Sequence, residues 1–158
     1  MEKEKLLALV MEMYKNDKGT KAYLDFFVTP DVDGLYKRCH DKILHAFYPK
    51  RGYTFRLMEG KKALSEFKKY SDNSELLVDL MLWYAECGVK YTLDYGDIYM
   101  SFYDSVSGVF AKALELAKKE GFHLALEPRA KKIVAKTNGI GWGFHDDLEA
   151  AYYRVYRM

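Results

Sequence analysis

The residues from Asp97 to Gly121 form the longest uninterrupted helical pattern in the sequence. Apolar side chains recur there at intervals of three and four residues, as one face of an α-helix requires. They are Phe102, Val106, Val109, Phe110, Ala113, Leu114 and Ala117. Asp97 is suited to cap the first turn, and Gly121 can take the left-handed conformation that ends a helix. The pattern predicts a long helix near residues 97–120, around which shorter helices pack.

Further segments with the same spacing flank this helix. They cover residues 4–14, 21–28, 30–47, 59–69, 72–88, 128–136 and a last stretch from about residue 145. Asp72 and Glu75 resemble a capping box, and Gly88 is suited to end that helix. No segment alternates apolar and polar residues as a half-buried strand would. The sequence therefore predicts an all-α fold, a compact irregular stack of about seven to eight helices in antiparallel hairpins.

The composition is that of a globular protein. Apolar residues make up 49% and charged residues 30% of the 158 positions, which fits one helical domain over residues 1–158. There is no apolar run of membrane-spanning length and no apolar centre of a signal peptide near the N-terminus. Cys39 and Cys87 lie on the apolar sides of predicted helices, without a CxxC pairing. We therefore expect buried free thiols and a cytoplasmic protein.

Charge is unevenly distributed although the formal net charge is only +2. Residues 1–70 carry a net charge of +5, residues 71–127 carry −6, and residues 128–158 carry +3. The basic and acidic regions either neutralise each other in the fold or present a charged surface to a partner.

The densest basic segment runs from Lys42 to Tyr70, with eight basic residues and two acidic ones. Its centre, Lys50 and Arg51, is flanked by aromatic residues. Such a loop could hold a phosphate, while Tyr48 and Tyr53 stack on a base. The alternative is a solvated basic surface, and the segment matches no established nucleic-acid motif.

Acidic residues gather in the middle of the chain. They are Asp79, Glu86, Asp94, Asp97 and Asp104. Grouped carboxylates can bind a divalent cation or divide acid and base roles, but no histidine accompanies them at helical metal-ligand spacing. The favoured alternative is structural, with these residues as helix caps and as ion-pair partners for the basic segment. We predict no metal site and no cofactor.

The segment from Gly139 to Asp147 places three glycines beside an aromatic residue and an imidazole. His145 could carry a proton with Asp146 as its orienting carboxylate, next to Trp142. The alternative is structural, with Trp142 buried in the core and Asp146 capping the last helix.

Several short motifs in this order resemble an uncharacterised bacterial family, domain-of-unknown-function family 6155. They are Lys21-Ala-Tyr-Leu-Asp-Phe-Phe, Phe47-Tyr-Pro, Lys62-Ala-Leu-Ser-Glu-Phe-Lys-Lys, Phe102-Tyr-Asp-Ser and Gly141-Trp-Gly-Phe-His-Asp. The resemblance covers most of the chain. It implies a small helical cytosolic domain and supplies no catalytic residue.

Together these patterns favour a binding or scaffolding module, and they leave an enzyme or a phosphate- or nucleic-acid-binding protein as alternatives. We expect a protein partner or a small anionic ligand and no membrane; the oligomeric state stays open. The predicted surface combines the basic loop, the acidic helix face and the glycine-rich segment. Its residues are Lys50, Arg51, Asp97, Asp104, Trp142, His145 and Asp146.

Overall fold

The computed structural model describes residues 2–52 and 54–157, and in that part of the chain it contains eight α-helices and no β-strand. They are α1 (Lys3–Asn16), α2 (Lys18–Val28), α3 (Val32–Phe47), α4 (Leu57–Tyr70), α5 (Ser74–Tyr95), α6 (Met100–Glu120), α7 (His123–Lys136) and α8 (Phe144–Tyr156). The predicted all-α fold is confirmed. Among the described residues, none of these helices combines the length and the apolar character needed to cross a bilayer.

The chain divides into two compact units, the first ending at Leu35 and the second beginning at Tyr36. In the first unit, α1 packs against α2. Asp17 caps α2, since its carboxylate accepts a hydrogen bond of 2.6 Å from the Thr20 backbone N–H. None of the described residues of α1 or α2 is buried. That the whole chain is a single domain stays a prediction.

In the second unit, α5 and α6 make the most extensive helix–helix contact, and α4, α7 and α8 pack around them. Large side chains on both helices are fully buried, among them Tyr84 on α5 and Phe102, Tyr103 and Phe110 on α6. This burial explains why the apolar spacing of α6 is so regular. Because only residues 96–99 join α5 to α6, the two helices run antiparallel.

Helix α6 ends as the sequence predicts but begins later. Gly121 takes the left-handed conformation, with φ 86° and ψ 14°. The predicted Asp97 cap is wrong, because the helix starts at Met100 and no side chain caps it. The hydroxyl of Tyr103 instead accepts a hydrogen bond of 3.0 Å from the Ile98 backbone N–H, which holds the preceding segment outside the helix.

Helix α5 differs more from the prediction. It has 22 residues against 21 in α6, so α6 is not the longest helix. It continues past Gly88 because that glycine is buried against Val106 of α6 and serves packing, and the helix ends at Gly96. The predicted Asp72 cap is also wrong, since Asn73 accepts the hydrogen bond from the Leu76 backbone N–H. Helix α7 starts at His123, five residues before the predicted start.

Candidate functional site

The basic loop lies beside an open groove of about 840 Å³ between α3 and α4, which we call the basic groove. Lys50 and Arg51 are exposed and line it, together with Arg56. Two other lysines in its wall are neutralised by neighbouring acids: Lys42 lies 2.6 Å from Glu66 and Lys62 lies 3.4 Å from Glu59. In the described part of the chain, no ion pair involves Lys50, Arg51 or Arg56, and these cations are available to an anion. Tyr53, the second proposed stacking residue, lies outside the described residues.

The acidic residues do not gather at one point. Asp97 is exposed in the segment before α6, and Asp104 is exposed on α6 itself. Asp94 binds Lys90 at 2.7 Å and accepts a hydrogen bond of 2.7 Å from the Tyr48 hydroxyl. These contacts hold the pKa of Asp94 below its ordinary value, the Lys90 contact most strongly. Within residues 2–52 and 54–157, no three histidine, cysteine or acidic side chains are placed to bind a metal ion.

The glycine-rich segment exposes its large aromatic residue. Trp142 is 54% exposed and has a positive φ of 62°, so the alternative of a buried core anchor is wrong. The backbone of Gly143 precedes α8 as its N-cap, and no side chain caps that helix, so Asp146 does not have the capping role. His145 contacts Thr137 of the preceding turn, with Nδ1 2.8 Å from the hydroxyl oxygen. The partner of the imidazole is therefore a buried threonine and not Asp146.

The next question is whether the two halves of the predicted surface are in contact. Among the described residues, no hydrogen bond or ion pair links Lys50 or Arg51 to Trp142, His145 or Asp146. A concave surface shared by these residues stays a prediction.

A second cavity, of about 450 Å³, lies between α5 and α7 and is closed at one side by Leu44 of α3. We call it the Arg129 cleft. Its lining combines an apolar floor with a charged rim. The residues are Leu44, Trp83, Glu86, Cys87, Val89, Lys90, Leu93, Asp94, Arg129, Lys132, Ile133 and Lys136. The volume lies within the range of about 300–1,000 Å³ that small-molecule sites occupy.

Arg129 of α7, which lines the cleft, forms ion pairs with two carboxylates of α5. Its Nε and Nη2 atoms donate to the two oxygens of Glu86 at 2.8 and 3.0 Å, and its Nη1 donates to Asp79 at 2.5 Å. Tyr36 of α3 donates a hydrogen bond to the other carboxylate oxygen of Asp79. A forked contact of this kind fixes the guanidinium in a single orientation.

Burial and charge act in opposite directions on this network. Burial by itself lowers the pKa of Arg129, but hydrogen bonds and charges from Glu86 and Asp79 outweigh it and raise that pKa. Burial, reinforced by the Asp79 contact, raises the pKa of Tyr36 to about 12. Arg129 is therefore permanently charged, and Glu86 and Asp79 already neutralise its charge. Its role is to position the helices, and an anionic ligand would be bound by other cations.

Those cations are Lys132 and Lys136, one helical turn apart on α7 and both exposed at the rim. Neither has an ion pair in the described part of the chain. Lys90, opposite them on α5, is held by Asp94 and by the face of Tyr48, whose ring centroid lies 4.7 Å from its Nζ. The rim thus presents two unneutralised positive charges above an apolar floor.

Trp83 forms one wall of the cleft and is held on two sides. Its indole N–H donates to the His40 carbonyl at 3.1 Å, and its ring stacks on the His40 imidazole with centroids 4.2 Å apart.

Both cysteines are buried free thiols, as the sequence predicts. Burial raises the pKa of Cys87, in the floor, to about 12, so it is not a nucleophile at neutral pH.

Sequence reasoning singled out Asp79 and Glu86 but missed Arg129, Lys132 and Lys136. The carboxylates are seven residues apart on one helix, and Arg129 is 43 and 50 positions away from them. The spacing of Arg129, Lys132 and Lys136 by three and four residues was a usable signal, since it places three cations on one face of α7.

The sequence matches a known protein family. The sequence model described as "Family of unknown function (DUF6155)" matches residues 1–156. No curated protein and no solved structure matches the chain. With nearly the whole length matched, the chain belongs to this family of unknown function, DUF6155.

Proposed function

We propose that this protein is a binding module that takes a small anion with an apolar body into the Arg129 cleft. The observation that carries the proposal is the pair Lys132 and Lys136, unneutralised at the rim of an apolar cleft. An apolar floor supplies affinity through burial, and two lysines supply selection for negative charge. The bidentate Arg129 contact keeps α5 and α7 at a fixed separation, so that the cleft exists before the ligand arrives.

Enzymatic chemistry has less support at this site. Cys87 is held protonated by burial, and Glu86 is occupied by Arg129. The buried free thiols Cys39 and Cys87 support action in a reducing compartment such as the cytosol.

Fluorescence titration with 8-anilinonaphthalene-1-sulfonate tests the proposal, because this probe joins a sulfonate to an apolar ring system. Replacing both lysines, Lys132→Ala with Lys136→Ala, should raise its dissociation constant by about tenfold, since exposed ion pairs contribute roughly 0.2–1 kcal/mol each. The neutral probe N-phenyl-1-naphthylamine should bind both proteins equally.

Lys131→Ala is the matched control, because Lys131 is exposed on the same helix but does not line the cleft. It should leave the dissociation constant of the anionic probe unchanged. If Lys131→Ala weakens binding as much as the double substitution does, the probe responds to the net charge of the protein, and the cleft is not its binding site. Leu93→Glu, at the mouth of the cleft, should abolish binding of both probes.

A second candidate function is binding of a phosphate-bearing or nucleic-acid partner at the basic groove. It is favoured by Lys50, which lines both that groove and an adjacent cavity of about 380 Å³ walled by Tyr48, Tyr91 and Tyr95. Of these rings Tyr95 is exposed, Tyr48 is half-buried and Tyr91 is buried. An unpaired cation beside an exposed tyrosine ring suits the backbone and a base of a single strand.

A single-stranded oligonucleotide measured by fluorescence anisotropy tests this candidate. The double variant Lys50→Ala with Arg51→Ala should weaken binding severalfold and reduce its dependence on salt. Lys61→Ala with Lys68→Ala is the control pair, because both lysines are exposed on α4 outside the groove lining. Equal losses in the two pairs would show that no defined groove is used.

A further inference from the structure

Trp83 is the one aromatic side chain that lines the Arg129 cleft in the described part of the chain. Its indole N–H donates to the His40 carbonyl, and one face of its ring stacks on the His40 imidazole at an interplanar angle of 9°. His40 itself lies outside the lining of the cleft. The protein therefore already occupies the N–H edge and one face of the indole, and the cleft meets what remains, the second face or the outer edge.

This ring is held in place before any ligand binds. The hydrogen bond to the His40 carbonyl fixes its position, and the stacked imidazole fixes its tilt. A wall that is already ordered loses little conformational entropy when a ligand packs on it, and a rigid ligand loses less than a flexible chain. Stacked and edge-to-face aromatic pairs also gain free energy beyond the burial of their area. Trp83 thus favours a flat, rigid ring over an alkyl chain of similar size.

The ring and the unneutralised cations of the rim lie a short distance apart. Trp83 precedes Glu86 by about one helical turn, and Glu86 is bonded to Arg129 of α7. Lys132 and Lys136 follow Arg129 at about 5 and 10 Å along the axis of α7. A compact ring system with an acid group attached directly to it can bridge such a distance.

We propose that the ligand of the Arg129 cleft is a planar aromatic acid, whose ring packs on Trp83 and whose acid group is bound by Lys132 and Lys136. This inference rests on the proposed function and narrows it, because an alkyl acid or a saturated ring acid would satisfy the two lysines equally well. Both carboxylates that line the cleft already have cationic partners, so they do not oppose the acid group of the ligand.

Two acids with the same carbon skeleton test the inference. The first is 2-naphthoate, which is flat and aromatic, and the second is its saturated analogue decahydro-2-naphthoate, which carries the same charge. Titration calorimetry gives the dissociation constant of each acid, and the wild type should bind 2-naphthoate more tightly. The ratio of the two constants should fall about fivefold in Trp83→Leu, since that is the gain expected of an aromatic pair.

Two further variants separate the ring from the fold. Trp83→Phe keeps an aromatic face and should keep a preference for 2-naphthoate between those of the wild type and Trp83→Leu. Trp142→Leu is the matched control, because Trp142 is exposed in the glycine-rich segment and does not line the cleft. It should leave the ratio of the two dissociation constants unchanged.

The double variant Lys132→Ala with Lys136→Ala distinguishes failure of this inference from failure of the proposed function. Suppose that it binds both acids more weakly than the wild type does, but that the wild type has no preference for 2-naphthoate or Trp83→Leu keeps that preference. The cleft then binds anions without using an aromatic ring, and only this inference is overturned. If the double variant binds both acids as tightly as the wild type does, the proposed function fails and this inference fails with it.

Discussion

At the scale of single residues, the contact between α5 and α6 depends on one missing Cβ atom. A Cβ added at Gly88 would lie 2.5 and 2.9 Å from the two methyl carbons of Val106. Real Cβ atoms do not approach other carbons so closely, so the two helices would have to separate or the valine would have to move. Val106 is itself fully buried, which leaves it no room to turn away.

This contact gives a prediction about non-additive substitutions. Gly88→Ala should destabilise the protein by about 1–3 kcal/mol through overpacking, and Val106→Ala by about 1–3 kcal/mol through lost burial. In the double variant the offending methyl groups are gone, so the combined loss should be at least about 1 kcal/mol smaller than the sum. Urea unfolding of the wild type, the two single variants and the double variant measures the three losses of stability.

The outcome that contradicts this is simple additivity, which would mean that Gly88 and Val106 do not touch. A control cycle pairs Gly88→Ala with Leu148→Ala, a fully buried residue of α8. That pair should be additive within about 0.5 kcal/mol, because Leu148 is not among the atoms nearest to Gly88.

At the scale of elements, the Arg129 network joins three helices through side chains of limited exposure. Arg129 from α7 contacts Asp79 and Glu86 from α5, and Tyr36 from α3 completes the hydrogen bonding of Asp79. Removing the cation leaves two carboxylates close together without compensation. The network therefore fixes how α7 lies against α5 and, with it, the width of the cleft.

We predict that Arg129→Ala lowers the free energy of unfolding by about 1–3 kcal/mol. Arg129→Lys should recover only part of this, because an ammonium keeps the charge but cannot make the forked contact with Glu86. Lys131→Ala, on the same helix, should change stability by less than about 0.5 kcal/mol. Thermal or urea unfolding distinguishes these results, and a neutral Arg129→Ala would show that the network does not stabilise α5 against α7.

Local patterns predict some of these features and miss others for a physical reason. The three- and four-residue spacing of α6 and the left-handed Gly121 are properties of neighbouring residues, so the sequence contains them. Whether Gly88 ends a helix or packs inside one is decided by Val106, 18 positions away. The role of Glu86 is decided in the same way by Arg129. Candidate site residues were therefore visible as residue types, but their partners and the Arg129 cleft were not.

At the scale of the whole molecule, buried weak acids couple stability to alkaline pH. Burial is the largest cause of a raised pKa for several groups in the second unit. Among them are Cys39 at about 11 and Tyr36, Cys87 and Tyr156 at about 12. Their ordinary values are 9.0 for the thiols and 10.0 for the tyrosines. In the folded protein these groups keep protons that the unfolded chain has already released.

The sign of the effect follows from that difference. Below pH 9 both states are protonated at these groups, and stability does not depend on them. Above pH 9 the unfolded chain ionises first, so the free energy of unfolding falls as pH rises and continues to fall until about pH 12. For Cys87 alone, the loss at pH 10.5 should be about 2 kcal/mol.

Cys87→Ala isolates this contribution. At pH 7 the variant should be less stable than the wild type by about 1–2 kcal/mol, because a buried sulfur is lost. Between pH 7 and pH 10.5, however, it should lose about 2 kcal/mol less than the wild type, because the thiol that couples unfolding to ionisation is gone.

Val89→Ala, at a neighbouring position of α5 that is 2% exposed like Cys87, is the matched control. It should be less stable at both pH values and should show the wild-type difference between them. Urea unfolding under reducing conditions gives the stability of each variant relative to the wild type at the two pH values. If the free energy of unfolding falls equally between these pH values in Cys87→Ala and in the wild type, the Cys87 thiol ionises as readily in the folded protein as in the unfolded chain.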